Sequence, residues 1–224
     1  MSVTSDRKDI GGLGYPSKMP GTSYGIPAEA CKTGAKLRLV EGSTCFNCYA
    51  FEGNYLYPSV AKAEAARLES IKRDDWAPIM ARALTHMHSL DKNGMPRKGR
   101  NGPIVPGWHR WHDAGDVQSV EHLAKICEVA RLTPQIWHWL PMREYAMLKA
   151  YLAAGGDIPE NLCIRVSAPM IDGAPPSWWP QTSTVHDTNA PIGHKCPAPT
   201  QDNYCGECRA CWNREVGNVS YHLH

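Results

Sequence analysis

Seven of the nine cysteines of this 224-residue chain fall into two groups, one near each end of the sequence. The groups are Cys31, Cys45 and Cys48, and Cys196, Cys205, Cys208 and Cys211. Thiolates two residues apart on a tight turn can bind one metal centre. A CxxCxxC run with a fourth cysteine nearby suits an iron–sulfur cluster or a structural zinc ion. All seven cysteines are therefore predicted metal ligands.

A disulfide framework is the competing explanation for so many cysteines. It suits small secreted domains, whereas residues 1–9 are polar and lack the apolar segment of a secretory signal. No apolar run of about eighteen residues follows. The 24 basic and 22 acidic residues nearly cancel, so the overall charge indicates neither a nucleic-acid nor a membrane partner. We expect a protein of the reducing cytoplasm, with no membrane partner.

The number of metal centres stays open at this point. Seven cysteines permit a closed four-ligand site plus an open three-ligand site, or one [4Fe-4S] cluster with ligands from both ends of the chain. Cys127 and Cys163 fall on predicted core faces, so we expect them to pack as small apolar side chains.

The segments that must position these cysteines alternate between strand and helix patterns. Strands are predicted at residues 23–26, 108–112, 135–140, 161–167 and 183–186, and helices at 58–71, 74–90, 117–131 and 143–154. This alternation is typical of βαβ units with a parallel sheet. We predict an α/β fold, a partial or distorted β/α (TIM-like) barrel.

The domain organisation follows from composition. Residues 1–22 are rich in Gly and Pro and predict an extended N-terminal arm. Residues 23–224 predict a single β/α domain that includes the cysteine-rich tail, residues 194–212. The loop at residues 91–102 combines Gly with basic residues. We expect it to be solvated, with a phosphate contact as the alternative, because no strand-to-helix glycine fingerprint accompanies it.

Candidate working groups follow the predicted strands. In a β/α barrel such groups lie on loops at the carboxyl ends of the strands. Asp113 and Asp116 follow the second strand, and the turn at residues 141–144 follows the third. Strand alternation places Arg110 and His112 on one face, so we expect them to contact a cofactor. Asp113, Asp116, His112 and Arg110 are the candidate catalytic residues.

Three segments resemble the bacteriophage gene product 88 family. They are Cys45-Phe46-Asn47-Cys48-Tyr49-Ala50, which resembles its CxxCYA segment, Arg110-Trp111-His112-Asp113-Ala114-Gly115-Asp116, and the tail that begins at Cys196-Pro197-Ala198. The resemblance covers most of the chain from Tyr24 onward. It implies a viral context, hence the host cytoplasm, and a metal cluster, but no particular reaction.

The chain is also similar, more weakly, to radical S-adenosylmethionine enzymes. These hold a [4Fe–4S] cluster by three cysteines after the first strand of a partial barrel, which matches Cys31, Cys45 and Cys48. The compact CxxxCxxC motif is absent, because thirteen residues separate Cys31 from Cys45. No Gly-Gly-Glu segment follows the second strand either. The sequence therefore favours a cluster over S-adenosylmethionine binding.

Two functions remain as hypotheses. The first is an iron–sulfur protein that performs electron transfer or radical-type chemistry with an unknown redox partner or small-molecule substrate. The second is an interaction module whose CxxCxxC tail is a zinc knuckle and whose basic loop, residues 97–100, contacts nucleic acid or protein. The excess of cysteines over what one zinc ion needs favours the first.

Overall fold

The computed structural model describes residues 3–223, apart from the side chains of the first two of these, and its centre is a parallel β-sheet. The strands are β1 (Thr22–Tyr24), β2 (Lys98–Gly99), β3 (Gly102–Pro103), β4 (Trp108–Trp111), β5 (Trp137–Met142), β6 (Leu162–Ile171), β7 (Thr182–His186), β8 (His194–Lys195) and β9 (Asn218–His222). The helices are α1 (Val3–Asp9), α2 (Thr33–Leu37), α3 (Pro58–Ser70), α4 (Trp76–Met87), α5 (Val120–Leu132) and α6 (Tyr145–Ala153).

The main sheet has the order β1-β4-β5-β6-β7-β9-β8, and every neighbouring pair is parallel. The strands β2 and β3 form a separate antiparallel hairpin. The α/β class is confirmed. The edge strands β1 and β8 do not pair with each other in the described part of the chain, so the sheet is not closed there.

Helices cover one face of this sheet. Trp111, Leu140 and Ile164, from three neighbouring strands, belong to the buried core that also contains the apolar sides of α4, α5 and α6. Local signals fix the helix ends. The Ser119 hydroxyl accepts the His122 N–H at 3.0 Å at the start of α5, and Pro58 begins α3. The predicted helices in these positions are confirmed.

The opposite face, which we call the tail face, carries alternate side chains of the same strands. Arg110 pairs in register with Trp139, and Trp139 pairs with Cys163. The cysteine-rich tail covers this face. The Trp212 ring lies 5.7 Å from that of Trp108 and 5.2 Å from that of Trp139, centroid to centroid. The tail thus takes the position that a second layer of helices has in a doubly wound sheet.

The N-terminal segment differs from the predicted extended arm. Residues 3–9 form α1, which packs against α4. Asp6 is 1% exposed, and its carboxylate pairs with Arg82 of α4 at 2.9 Å. Ile10 is fully buried. The high Gly and Pro content begins only at Gly11, so it does not interrupt the helix before that residue.

Two strands near the C-terminus were not predicted. β8 has two residues, too few for any periodicity, and β9 lies between β7 and β8 in the sheet. The side chains through which β9 contacts β7 are polar: the Ser220 hydroxyl lies 3.2 Å from the Thr184 hydroxyl and 2.8 Å from the His186 ring. The apolar residues that mark a buried strand in a sequence are therefore absent from this side of β9. The predicted strand at residues 183–186, confirmed as β7, is therefore not the last.

The predicted placement of His112 beside Arg110 is wrong. His112 has a φ of +51°, in the left-handed region, which ends the alternation of β4. Its ring lies 5.4 Å from that of His122 in α5, so His112 lies on the helix side of the sheet. None of the described helices has the length and apolar character needed to cross a membrane.

Candidate functional site

The first cysteine group lies on the long connection between β1 and α3. The Sγ atoms of Cys31 and Cys45 lie 3.6 and 3.7 Å from the point where a Cβ on Gly34 would stand. Burial, together with the charges of Asp116, Cys48 and Cys45, raises the pKa of the Cys31 thiol to about 12. The three thiols are therefore neighbours, and a metal would have to displace their protons.

Glu144 fixes the chain that follows Cys31. Its Oε1 accepts the backbone N–H groups of Lys32 and Thr33 at 3.1 and 2.7 Å, and its Oε2 accepts the Thr33 hydroxyl at 2.8 Å. Glu144 is 5% exposed, so water competes little for these bonds. A carboxylate from the β5–α6 turn thus positions a cysteine that lies more than a hundred residues earlier in the sequence.

Asp116 acts on the same group through Arg143. Its Oδ2 accepts the Arg143 backbone N–H at 2.7 Å, and the Arg143 Nη1 lies 3.1 Å from the Cys45 Sγ. Burial raises the pKa of Asp116 to about 7, although the N–H groups of Arg143 and Val117 act in the opposite direction. The candidate Asp116 therefore lies close to the first cysteine group, and it helps to position Arg143, which contacts Cys45.

The second cysteine group lies between β8 and β9. The Cys208 Sγ is 3.4 Å from His194 Nε2, and the Cys211 Sγ is 3.1 Å from the Tyr221 hydroxyl. Burial raises the pKa of Cys205, and the charges of Cys196 and Cys208 raise it further. These four cysteines therefore also form one neighbourhood, on the tail face.

Arg165 anchors this second group. It is fully buried and donates hydrogen bonds to six carbonyl oxygens. Five of them belong to the end of the tail and the segment that leads from it to β9, at residues 210, 211, 213, 216 and 217, and the sixth is that of Thr182. One residue of β6 thus fixes the conformation of residues 210–217.

Arg110 lies between the two groups. Its Nη2 donates to the Tyr49 hydroxyl at 3.2 Å, next to Cys48, and its guanidinium lies 4.5 Å from the centre of the Trp139 ring. Its positive charge also opposes the rise in the pKa of Cys205 that burial causes. The Arg110 Nε is buried and has no hydrogen-bond partner in the described structure.

Asp113 completes this region. Its carbonyl oxygen accepts the hydroxyls of Tyr49 and Tyr55 at 2.6 and 3.3 Å, while its buried Oδ1 has no partner among the described residues. Burial, together with the charge of Asp113, raises the pKa of nearby Glu64 to about 7. The Asp113 Oδ1 and the Arg110 Nε, both without hydrogen-bond partners among the described residues, therefore lie next to the first cysteine group.

The thiols are grouped without forming a ready-made metal site. All nine cysteines, which lie within the described residues, are free, so the disulfide alternative has no support. Among residues 3–223, no three His, Cys, Asp or Glu side chains stand close enough to hold a metal ion as they are. A tetrahedral zinc ion needs sulfur atoms ~3.8 Å apart, given Zn–S bonds of ~2.3 Å. The seven cysteine thiols of the two groups are the donor type that binds an iron–sulfur cluster or a zinc ion.

Several residues of this region were missed at the sequence level. Tyr221 lies on the unpredicted strand β9, and His194 lies on β8. Glu64 faces inward from α3, where its position in the helical repeat beside Arg67 is the only signal. By contrast, Cys127 and Cys163 are buried packing residues, as predicted.

Comparison with known proteins identifies the family. The family model described as Gene product 88 matches residues 2–214 of the 224, so the chain belongs to this family and the resemblance is confirmed. Neither the curated proteins nor the solved structures gave a significant match.

Proposed function

For this member of the gene product 88 family, we propose an iron–sulfur protein that performs redox or radical-type chemistry on a small-molecule substrate. One observation carries the proposal: two groups of free thiols flank Arg110 on one sheet. A zinc knuckle would account for the tail alone. The first group, at the carboxyl end of β1, has no part in that alternative.

The cysteines would hold [4Fe-4S] clusters, one or two in number, which supply one-electron transfer when bound. The chain's own donors near the sulfur atoms are Arg143 at Cys45 and the Tyr221 hydroxyl at Cys211. Hydrogen bonds to the ligand sulfurs shift a reduction potential. Arg143 and Tyr221 are therefore proposed to adjust the reduction potential of the cluster without being ligands to it.

The strand order supports the finer proposal of a partial β/α barrel. From β1 to β7 the order of the main-sheet strands in space follows their order in the chain, and all are parallel. Right-handed crossovers then place successive helices on one face, which is the arrangement of a barrel wall. The loops after the strands share one edge, so Cys45, Asp113 and Arg143 are expected together there.

The substrate is proposed to bind beside Arg110 and Asp113, whose buried Nε and Oδ1 atoms have no partners within the described residues. Such groups suit a polar ligand that carries both a donor and an acceptor. The reducing cytoplasm of a host cell would keep the thiols available. The electron donor is proposed to be a separate redox partner.

A specific observation also favours zinc as a second candidate. His194 Nε2 lies 3.4 Å from the Cys208 Sγ, and zinc commonly takes both Cys and His ligands. In this alternative the tail is a structural knuckle of an interaction module.

Serine variants test the assignment. We expect Cys45→Ser and Cys208→Ser each to lose bound iron and visible absorbance after anaerobic purification, because serine removes a thiolate ligand. Cys127→Ser is the matched control, since Cys127 is buried in the core, and it should keep the parent spectrum. A Cys208→Ser protein with the parent's iron content would remove the tail from the proposal. Bound zinc without sulfide would establish the alternative.

A further inference from the structure

A groove of about 630 Å³, whose lining includes no cysteine, lies between α1, the end of α4 and the loop before β4. His88 Nδ1 accepts the N–H of Gly107 at 3.1 Å, which ties the end of α4 to the start of β4. The groove therefore lies toward the amino ends of the parallel strands. The cysteines of the first group follow the carboxyl end of β1, at the other edge.

The loop that forms this groove is structured. Its β2–β3 hairpin packs on Tyr15, since a Cβ at Gly99 would stand 2.4 Å from the Tyr15 ring. The predicted solvated loop thus has one side against the protein and the other open to a ligand.

Three cations line the groove: Arg7, Arg97 and Lys98. None of them forms an ion pair within the described residues. The Arg7 Nε is buried without a hydrogen-bond partner there, and the Arg97 Nε donates to the Ser89 hydroxyl at 3.1 Å. The groove therefore presents an excess of positive charge, since its three cations face one carboxylate, that of Asp91, whose pKa is lowered by hydrogen bonds from backbone N–H groups and by the charges of Arg97 and Lys98.

The guanidiniums of Arg7 and Arg97 both line the groove, and their charges both act on His86. Burial lowers the pKa of His86, a lining residue, and the charges of Arg97 and Arg7 lower it further. The one acidic lining residue, Asp91, is engaged locally, because its Oδ1 accepts the N–H groups of Asn93 and Met95 at 2.8 and 3.0 Å.

The remaining lining is apolar and contains Met87, Met95, Pro96 and Pro103. Inorganic phosphate alone would leave this surface uncovered, and a groove of this volume suits a small organic ligand. Methionine and proline side chains offer flat or adaptable surfaces to an aromatic ring. The lining thus combines a cationic side with an apolar floor.

We propose that this groove binds a nucleotide unit, with its phosphate on Arg7, Arg97 and Lys98 and its base on the apolar floor. Basic side chains bind phosphate by charge-assisted hydrogen bonds, and the methionine and proline side chains here provide the surface on which a base would lie. The nucleotide can be free or part of a single strand, and the test separates these sources. The site is independent of any metal bound by the cysteines.

Fluorescence anisotropy tests the proposal with two probes: a labelled single strand of about 12 nucleotides and a labelled adenosine diphosphate, each at low salt. The variant Arg97→Gln/Lys98→Gln removes two groove cations. We expect it to bind at least about tenfold more weakly, because charge-assisted hydrogen bonds are lost. For the strand, the slope of log affinity against log salt should fall by about 1.4, at ~0.7 per phosphate contact.

The control variant Lys62→Gln/Lys72→Gln removes the same charge from exposed positions outside the groove. Lys98→Glu is a second groove variant, since Lys98 is exposed and has no ion pair within residues 3–223. Strand binding that only the groove variants weaken supports a polymer source, and the same pattern with the diphosphate alone supports a free nucleotide. Absence of binding to both probes, or equal weakening by groove and control variants, overturns the proposal.

Discussion

Arg165 shows how one residue can determine the position of a whole segment. An arginine buried without a carboxylate partner is costly unless its N–H groups are satisfied. Here backbone carbonyl oxygens of the tail satisfy them. Neither a helix nor a strand forms from Gln201 to Gly217, so these hydrogen bonds take the place of the backbone bonds that a strand would provide.

We predict that Arg165→Lys destabilises the protein by about 3 kcal/mol or more, because lysine cannot reach six carbonyl oxygens that then stay buried and unpaired. Urea unfolding measures the change, and metal content measures its effect on the tail. Arg73→Lys, at an exposed ion pair, is the control and should change little. Parent-like stability of Arg165→Lys would show that the tail is held by other contacts.

Sequence reasoning at the residue scale succeeded where chemistry is local. Asp113 and Asp116 were predicted to follow the second of the predicted strands, and they do so, beside the first cysteine group. It failed for His112, because a left-handed residue ends a strand's alternation and no pattern marks it. The role of Arg165 was also invisible, since its partners are backbone atoms in an irregular segment.

At the scale of elements, long helices and core strands were predictable because their apolar periodicity reflects burial. The helix α4, for instance, has eight buried positions out of twelve. The strands β8 and β9 were not predictable, because one is very short and the other is polar on the face it shares with β7. The helix α1 is fixed by a tertiary ion pair between Asp6 and Arg82, which has no local signature.

The layer between the sheet and its helices contains buried histidines, which predict acid sensitivity. Burial lowers the pKa of His88 to about 4, and of His122 and His138 to about 3. Between pH 6.5 and 4 these histidines are protonated in the unfolded chain and not in the folded chain, so their contribution lowers stability as the pH falls. The raised pKa values of Asp116 and Glu64 contribute in the opposite direction, because the folded chain takes up those protons first. For His88 alone the full loss is about 3 kcal/mol.

Urea unfolding at pH 7, 6 and 5 measures this slope. His122→Gln should flatten it, since glutamine can still accept the Gln118 N–H that His122 Nδ1 accepts at 3.2 Å and does not titrate. His222→Gln, at an exposed position, is the control and should keep the parent slope. A pH slope of His122→Gln equal to that of the parent would contradict the assignment of His122 as a buried neutral group.

At the scale of the whole molecule, the sheet places Arg110 between two cysteine groups that are separated by about three quarters of the chain. The spacing of the cysteines along the chain predicted which of them belong to each group. The approach of both sets to Arg110 depends on the topology, in which the tail turns back across the sheet to supply β9. The position of β9 between β7 and β8 has no signature in the local sequence, so it could not be predicted.

The most direct test of the central proposal is the iron, acid-labile sulfide and zinc content of the protein purified without oxygen. We predict about four or about eight iron atoms per chain with an equal amount of sulfide, because each [4Fe–4S] cluster contains four of each. About one zinc ion per chain, with no iron and no sulfide, would contradict it.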